Sequence, residues 1–447
     1  MRNVIVVGAG VGGLYAAKRL SELGYHVKII EARAREELGY PWYDSVGIST
    51  FRSVGMKLPE GTTIPKQILN FYAPSGEGKI KQPTRFARGL DVQREKLVRH
   101  MIAMCEPHCQ FLFKEKVKEL IIEDNAVKGV RTEKRTLHSD LVIDASGLFS
   151  PCRLSTPDSF YLNDPIGKTD YIVAYREEYS RKDVEGEPEP NVYLYPKNLM
   201  LAWCKSEPDT GGLDVFFGNY GDVTDEEKAE GLAFLKERNP HLGDLRSSRR
   251  ECVSLRYPMG VLSAPGYVLV GGSAFMAIPF NGSGIEMTLG AAKDLVSVIK
   301  KLGDAPFTAE NLWQYTLLFV KHAGARNAAQ YVFRQAVETL PREDLDFLFT
   351  SGLFDKGIVA IATLDRKHMR KVDVRSFLSG FRSTMQRKDI TKMIRGAFTH
   401  AVRGYFLARS VPNKYDPEKV AKWKKDYDAF MRGAFEKVKK IFEAAKK

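Results

Sequence analysis

Apolar positions near the start of the chain form two short runs, the second interrupted by Lys28, with a helical segment between them. Residues 4–7 form the first run, a glycine-rich stretch and a helical pattern to residue 23 follow, and residues 27–30 form the second run. Short continuous apolar runs on either side of an amphipathic helix are typical of buried parallel strands joined by a crossover helix. The pattern therefore predicts a strand-helix-strand unit at residues 4–30.

The pattern changes twice before residue 150. Residues 39–89 are rich in turn residues, and residues 90–94 then lead into an amphipathic helix that ends near Met104. We predict a meander of three strands after it, followed by a buried strand that ends in small residues. These segments are residues 111–113, 117–123 and 126–132 for the meander, and 141–147 for the buried strand.

Longer alternating strands follow, and they predict a second kind of sheet. Alternation of apolar and polar positions, interrupted by one helical pattern, favours an antiparallel sheet with one helix. The predicted strands are residues 171–179, 191–195, 199–205 and 213–218, and the helix is 225–238. A buried strand at 267–274 and a helix at 283–302 then resemble the first region again, and the chain after Pro306 has helical patterns.

Composition and charge narrow the class of protein. The chain has 447 residues, 44% hydrophobic and 28% charged, and no run approaches the roughly 20 apolar residues of a membrane span. The first strand leaves no room for a signal peptide and the five cysteines are scattered, so we expect a cytoplasmic protein. Cys105, His108 and Cys109 lack a second cluster, so we predict no metal site.

The glycines that follow the first strand have the order required to bind an ADP-containing dinucleotide. Gly8 permits a tight turn, Gly10 lets the backbone approach a pyrophosphate, and Gly13 lets helix and strand pack closely. The pyrophosphate would accept hydrogen bonds from helix N-terminal amides, and Glu31 would bind the ribose hydroxyls. The predicted cofactor residues of this region are Gly8, Gly10, Val11, Gly12, Gly13, Glu31, Ala32 and Arg33.

Two segments far along the chain favour FAD as the dinucleotide. Residues 144–147, with Ser150 and Arg153, form a strand end that turns beneath a cofactor, and residues 271–273 and 282–285 form a glycine-rich turn before a helix. Amides at that helix N-terminus would face the electron-rich edge of a reduced isoalloxazine. These segments add the predicted cofactor residues Ala145, Ser146, Gly147, Gly272, Gly282, Ser283, Gly284 and Ile285.

With these segments the chain resembles the geranylgeranyl reductase family of FAD-dependent enzymes and, more broadly, flavoproteins of the p-hydroxybenzoate hydroxylase type. The resemblance covers nearly the whole chain, including Gln93-Arg94, residues 51–56 and residues 71–74. It implies a mixed α/β fold with a Rossmann-like FAD-binding domain, an inserted antiparallel substrate domain and a helical C-terminal domain. It also implies that Arg94 contacts the phosphate or ribityl region of FAD and that Gly282 and Gly284 line the flavin ring.

Domain boundaries follow from the pattern and the resemblance together. We expect an FAD-binding domain formed by residues 1–160 and 261–305, with residues 40–89 contributing in part to the substrate region. The substrate domain is expected at residues 161–260 and the helical, basic domain at 306–447.

The chain departs from the family pattern at three places. Trp42 in Pro41-Trp42-Tyr43-Asp44 stands where the family has a cysteine, and Gly271-Gly272-Ser273 lacks the aspartate of the usual Gly-Asp-Ala. The substrate motif Tyr-x-Trp-x-Phe-Pro aligns only as Trp203. From this alignment we expect Trp203, Cys204 and Pro279 to contact substrate.

The resemblance implies hydride transfer from N5 of reduced FAD to isolated C=C bonds of an isoprenoid lipid or a similarly long apolar substrate. Such an alkene needs an acid beside it, and the candidates are Asp44 and Tyr43, followed by Cys204 and water. Trp42 would shape the catalytic site. No second glycine fingerprint is present, so electrons would come from ferredoxin, NAD(P)H or another flavoprotein. A flavin monooxygenase and an electron-transfer subunit that reduces a quinone or partner protein remain alternatives with the same fold.

The net charge of +13 is concentrated at the C-terminal end of the chain. Residues 361–447 hold 23 Lys and Arg against 9 Asp and Glu, a net of +14. We expect a helix over residues 393–411 with one apolar stripe, formed by Ile394, Phe398, Ala401, Val402, Tyr405 and Phe406. This helix would lie on an anionic membrane, dock an acidic electron carrier or pack into the core with a solvated basic face. Nucleic acid is not an expected partner because no recognised module accompanies the charge.

Overall fold

The computed structural model describes residues 2–40, 43–64, 69–81, 89–207, 211–351 and 387–446. Within these ranges, the strands in chain order are β1 (Asn3–Val7), β2 (His26–Ile30), β3 (Tyr43–Gly47), β4 (Thr62–Thr63), β5 (Asn70–Tyr72), β6 (Lys79–Lys81), β7 (Gly89–Gln93), β8 (Cys109–Leu112), β9 (Val117–Glu123), β10 (Ala126–Thr132), β11 (Thr136–His138), β12 (Leu141–Asp144), β13 (Tyr171–Arg181), β14 (Asn191–Leu194), β15 (Leu201–Ser206), β16 (Leu213–Tyr220), β17 (Leu242–Ser254), β18 (Ser263–Ala264) and β19 (Tyr267–Leu269).

The helices described are α1 (Val11–Glu22), α2 (Thr50–Ser53), α3 (Arg94–Cys105), α4 (Pro151–Leu154), α5 (Asp225–Arg238), α6 (Ile285–Leu302), α7 (Ala309–Phe319), α8 (Ala325–Thr339), α9 (Arg342–Thr350), α10 (Lys388–Arg409), α11 (Pro417–Arg432) and α12 (Ala434–Lys446). Among the described residues, no helix is long and apolar enough to cross a membrane.

A six-stranded sheet in the order β18-β19-β12-β1-β2-β8 contains the predicted strand-helix-strand unit. The strands from β19 to β8 are parallel, and their apolar side chains are buried against α1, α3 and α6. The prediction that residues 111–113 belong to a meander is wrong, because β8 pairs in parallel with β2. The antiparallel sheet beside it contains only β9, β10 and β11.

The second large sheet has seven strands in the order β17-β13-β16-β15-β14-β5-β6. One face packs on α5 through a buried apolar cluster, and the other carries a smaller cluster that includes Phe216 and Leu255. Strands β5 and β6 come from the turn-rich stretch near residue 70 and pair with β14. Strand β17, which the sequence did not predict, pairs with β13 along its length. Most of its middle residues are exposed, so no alternation marks it.

The C-terminal helices pack against the first sheet and against each other. Helix α8 lies against α10 and α12, and Tyr427 of α11 donates a hydrogen bond to the carbonyl of Pro258. A buried ion-pair network attaches the same helix to the chain between the two large sheets. In it the Asp164 carboxylate lies 2.6 Å from the Arg256 guanidinium and accepts a hydrogen bond from Arg432 at 2.8 Å.

Candidate cofactor and substrate site

The N-terminus of α1 is open, as a pyrophosphate site requires. Gly10 is its N-cap residue, no side chain caps the helix, and no acidic residue lies in its first turn. The first amides of a helix have no partner within it, so they are available to an anion. A Cβ built on Gly10 would have one neighbour, the Ala145 carbonyl oxygen at 3.6 Å, so the protein itself leaves this space unfilled.

Gly8 and Gly13 allow the turn to pack against the end of β12. Gly8 has φ +94°, and a Cβ on it would lie 2.5 Å from the Ala145 carbonyl oxygen. A Cβ on Gly13 would lie 2.6 Å from the Gly8 oxygen. These contacts fit the steric roles predicted for the two glycines, and they bring Ala145 beside the glycine turn. Gly12 is buried in the same helix turn, against Thr288 and Val270.

Glu31 is held across the glycine turn by backbone amides. Its carboxylate accepts hydrogen bonds from the Ala9 amide at 2.8 Å and the Arg33 amide at 2.9 Å. Each carboxylate oxygen has a second lone pair, so Glu31 can still accept hydrogen bonds from ribose hydroxyls. Ala32 and Arg33 follow it on the exposed side of the turn.

A buried aspartate organises the second predicted segment. The Asp144 carboxylate accepts hydrogen bonds from the Ser146 hydroxyl at 2.6 Å and the Tyr267 hydroxyl at 2.6 Å, and also from Ser150. The Ser273 hydroxyl donates to the Asp144 carbonyl at 2.6 Å, which ties the third segment to the second. A Cβ on Gly272 would lie 3.1 Å from the Gly147 Cα, so the two loops meet directly.

The loop before α6 lies between the glycine turns and the second sheet. Gly282 has φ +71°, and a Cβ on it would lie 2.3 Å from the Val253 Cγ1 atom. Gly284 is the N-cap of α6, with no side-chain cap, and Ile285 behind it is buried. The Ser283 amide donates to the Asn281 side chain at 3.0 Å, and Pro279 is buried in the same loop. The open N-terminus of α1 and the Glu31 carboxylate fit the ADP half of FAD. The N-terminus of α6 has no side-chain cap but has Glu286 in its first turn.

The predicted acid Asp44 and the predicted cofactor contact Arg94 form one ion pair. The Arg94 Nε atom donates to the Asp44 carboxylate at 2.6 Å, and both side chains are partly exposed. Tyr43 is buried at the start of β3, and its carbonyl accepts a hydrogen bond from Arg176 at 2.7 Å. Trp42 lies outside the described residues.

We use the name polar corner for Arg176, Asp214, Trp203, Lys205 and Glu207 on the second sheet. Arg176 donates to both carboxylate oxygens of Asp214, at 2.7 and 2.9 Å. The Trp203 indole donates to the same carboxylate at 3.0 Å, and the Lys205 ammonium lies 3.4 Å from it. Burial opposes ionisation of Asp214, but Arg176 and Lys205 outweigh it and lower the pKa of this carboxyl.

Two of the predicted substrate residues, Trp203 and Cys204, lie on opposite faces of β15. Trp203 stacks on Phe216 with ring centroids 3.9 Å apart, on the face that carries Arg176. Cys204 points to the opposite face and is buried in the cluster against α5. The structure therefore does not bring Cys204 together with Trp203 and Pro279, since successive residues of a strand face opposite sides.

Sequence reasoning missed Arg176, Asp214 and Glu207. Asp214 interrupts an otherwise apolar part of β16, and this was the available signal. Arg176 is followed by Glu177 and Glu178 in β13, so its charge did not stand out. Tyr195 follows β14 with φ 51°, and burial raises its pKa well above the ordinary value.

Glu207 predicts a pH dependence of stability. Burial, with a smaller contribution from Asp214, raises the pKa of Glu207 to about 8. A carboxyl whose pKa is raised in the folded state stabilises the fold below its ordinary pKa, and this contribution is lost as the pH rises towards 8. Relative to the native chain, Glu207→Gln should gain about 2 kcal/mol of unfolding free energy between pH 5 and pH 9, since one pKa unit corresponds to about 1.4 kcal/mol and local rearrangement relieves part of the shift.

Urea unfolding at the two pH values measures this difference, and Glu185→Gln at an exposed position is the matched control. Equal pH dependence of the native chain and Glu207→Gln would contradict the assignment.

The fold and the site together define a flavin-dependent oxidoreductase of the Rossmann type. A family model described as an NAD(P)-binding Rossmann-like domain matches residues 6–43. The chain is 25% identical over 376 residues to a digeranylgeranylglycerophospholipid reductase of Sulfolobus acidocaldarius, covering 77% of this chain and 79% of that protein. It is also 25% identical over 319 residues to a kynurenine 3-monooxygenase of Salinispora tropica, covering 64% of this chain and 69% of that protein.

Among solved structures, a geranylgeranyl bacteriochlorophyll reductase-like protein from Thermoplasma acidophilum shares the fold. The TM-score is 0.68 at 19% identity, and the match covers 87% of this chain and 99% of that one. The comparisons confirm the predicted fold class, the FAD-dependent oxidoreductase class and the resemblance to geranylgeranyl reductases.

Proposed function

We propose that the protein reduces isolated C=C bonds of an isoprenoid lipid or a similarly long apolar substrate. The observation that carries this proposal is the contact between the Gly282 loop and the apolar face of the second sheet. Val253 and Leu255 lie beside the Gly282 loop. They belong to an apolar cluster that also contains Ile172 and Phe216 and against which Trp203 packs. An apolar wall suits a hydrocarbon chain, because each Å² of apolar surface that leaves water contributes roughly 25 cal/mol to the free energy of binding.

The polar groups beside this wall are the candidates for proton supply. When bound, FAD supplies the hydride, and an unactivated alkene also requires a proton. Asp44 lies between Arg94 and Arg176, with 4.0 Å between its carboxylate and the Arg176 guanidinium. Glu207 is the second carboxyl near these charges, and its raised pKa keeps it protonated at neutral pH. We propose that Asp44, Tyr43 or Glu207 holds the proton that the alkene receives.

The name of one relative supports an apolar substrate, and the name of another supports a second candidate function. The Sulfolobus relative is named a reductase of a digeranylgeranyl lipid, and the Salinispora relative is named a monooxygenase. A flavin monooxygenase is therefore the second candidate. For the reductase, we propose an external electron donor, namely ferredoxin, NAD(P)H or another flavoprotein, and peripheral association with an anionic membrane.

The proposal is tested by anaerobic reduction of the bound flavin followed by addition of geranylgeranylated lipid or diphosphate. We expect flavin reoxidation coupled to product masses that increase in steps of two hydrogens. Flavin that stays reduced across a range of polyprenyl substrates would overturn the proposed reaction.

A further inference from the structure

The buried face of α10 differs from the stripe predicted for it. The helix packs on α8 and α12 through a buried set formed by Ile390, Met393, Ala397, His400, Ala401, Gly404 and Ala408. Phe398 and Phe406 of the predicted stripe are 52% and 65% exposed, whereas Ala401 of the same stripe is buried. Of the three arrangements expected for this helix, complete packing of the stripe into the core is therefore excluded, and the helix has a solvent-facing apolar pair.

Cations surround this exposed pair. We call the outer face of α10 the basic aromatic face, formed by Lys392, Arg395, Phe398, Arg403, Phe406 and Arg409, all of which are exposed. Within the described part of the chain, no carboxylate forms a salt bridge with these four cations. Asp389, at the start of α10, bonds instead to Arg387. Among the residues that the structure describes, this face therefore carries four cations without a carboxylate partner.

The neighbouring helix α12 also carries a cation and an exposed phenylalanine. Burial lowers the pKa of His400, and the nearby Lys437 of α12 and Arg403 of α10 lower it further. Phe435 of α12 is also exposed, at 39%. Phe398 and Phe406 are eight residues apart, so they are spaced by about 12 Å along the helix axis.

We propose that the basic aromatic face docks on an anionic lipid bilayer, with Phe398 and Phe406 inserted at the level of the headgroups. Interfacial helices combine aromatic residues with Lys and Arg in this way, and the cations attract anionic headgroups. An acidic protein partner would match the cations, but two exposed phenylalanines flanked by arginines favour lipid. The docked helix contacts α8, whose Phe333 stacks on Phe280 in the loop before α6. Bilayer docking would thus place lipid beside helices that reach the candidate site.

The inference does not depend on the proposed reaction, because vesicle binding is measured without turnover. The FAD-loaded full-length protein is sedimented with two kinds of vesicle. One contains phosphatidylcholine alone, and the other contains phosphatidylcholine with about 30% of the anionic lipid phosphatidylglycerol. We expect strong binding only to the anionic vesicles. Phe398→Ser with Phe406→Ser should weaken that binding about 10-fold, while Leu245→Ser, at another exposed apolar position, should leave it unchanged.

Charge is tested separately by Arg395→Gln with Arg403→Gln, which should weaken binding about 25-fold at low salt. The matched control, Lys300→Gln with Lys301→Gln at the exposed end of α6, removes equal charge and should have little effect. Flavin absorbance and thermal unfolding verify that each variant is folded. Absence of binding to anionic vesicles would overturn the inference, and so would binding that is insensitive to loss of the phenylalanine pair, because such binding would be adsorption through charge alone.

Discussion

Gly10→Val should weaken FAD binding at least about 100-fold while leaving the fold of the protein intact. The side chain would occupy the space that the structure leaves open beside the α1 N-terminus, where we place the pyrophosphate. Gly10 has an extended backbone conformation, φ −76° and ψ 168°, which valine adopts without strain. Hydrogen bonds to charged groups contribute about 1.5–3 kcal/mol each, so displacement of the pyrophosphate from two amides accounts for this loss.

Titration of the apoprotein with FAD, followed by flavin fluorescence, measures the affinity. Gly290→Val on α6 is the matched control, because a Cβ there meets no neighbour within 4 Å. The control should retain FAD. Unchanged FAD affinity in Gly10→Val would contradict the assignment of this turn to the pyrophosphate.

Arg176→Met should destabilise the protein by about 3–5 kcal/mol, the usual cost of leaving one member of a buried ion pair without its partner. Asp214 is 2% exposed and accepts two hydrogen bonds from Arg176. Loss of the guanidinium also removes the bond to the Tyr43 carbonyl, which connects the second sheet to β3. Urea unfolding followed by tryptophan fluorescence and by flavin release measures the effect on the whole chain and on the site.

The double variant Arg176→Met with Asp214→Leu provides the decisive comparison. It removes both charges, so we expect it to recover at least half of the lost stability. If the double variant were as unstable as the sum of the two single variants, the destabilisation would come from packing and not from the ion pair.

Sequence patterns were sufficient for the parallel sheet and its glycine turns. The strands β1 and β12 are buried along almost their whole length and are short apolar runs, and β2 differs only at His26 and Lys28. The turn after β1 needs glycines for steric reasons. Strand β17 could not be predicted in this way, because it is exposed along most of its length. Residues 111–113 were assigned to the wrong sheet because a short apolar run does not specify its pairing partner.

The same distinction, between local patterns and long-range contacts, applies to the candidate site. Gly8, Gly10, Gly13 and Glu31 could be proposed from the sequence because their spacing is local. The polar corner joins Arg176, Asp214 and Trp203 from three strands, and long-range pairing of this kind has no local signal. The orientation of α10 also depends on tertiary contacts, since its small residues, and not its phenylalanines, face α8 and α12.

The most direct test of the central claim, reduction of an alkene by this FAD protein, follows the fate of solvent and oxygen atoms in the product. Reduced protein and a digeranylgeranyl lipid are mixed in D₂O, once without oxygen and once under ¹⁸O₂, and the product is analysed by mass spectrometry. The account predicts deuterium added across the double bonds in both cases and no ¹⁸O in the lipid. Product that forms only with oxygen and contains ¹⁸O would contradict it and identify a monooxygenase.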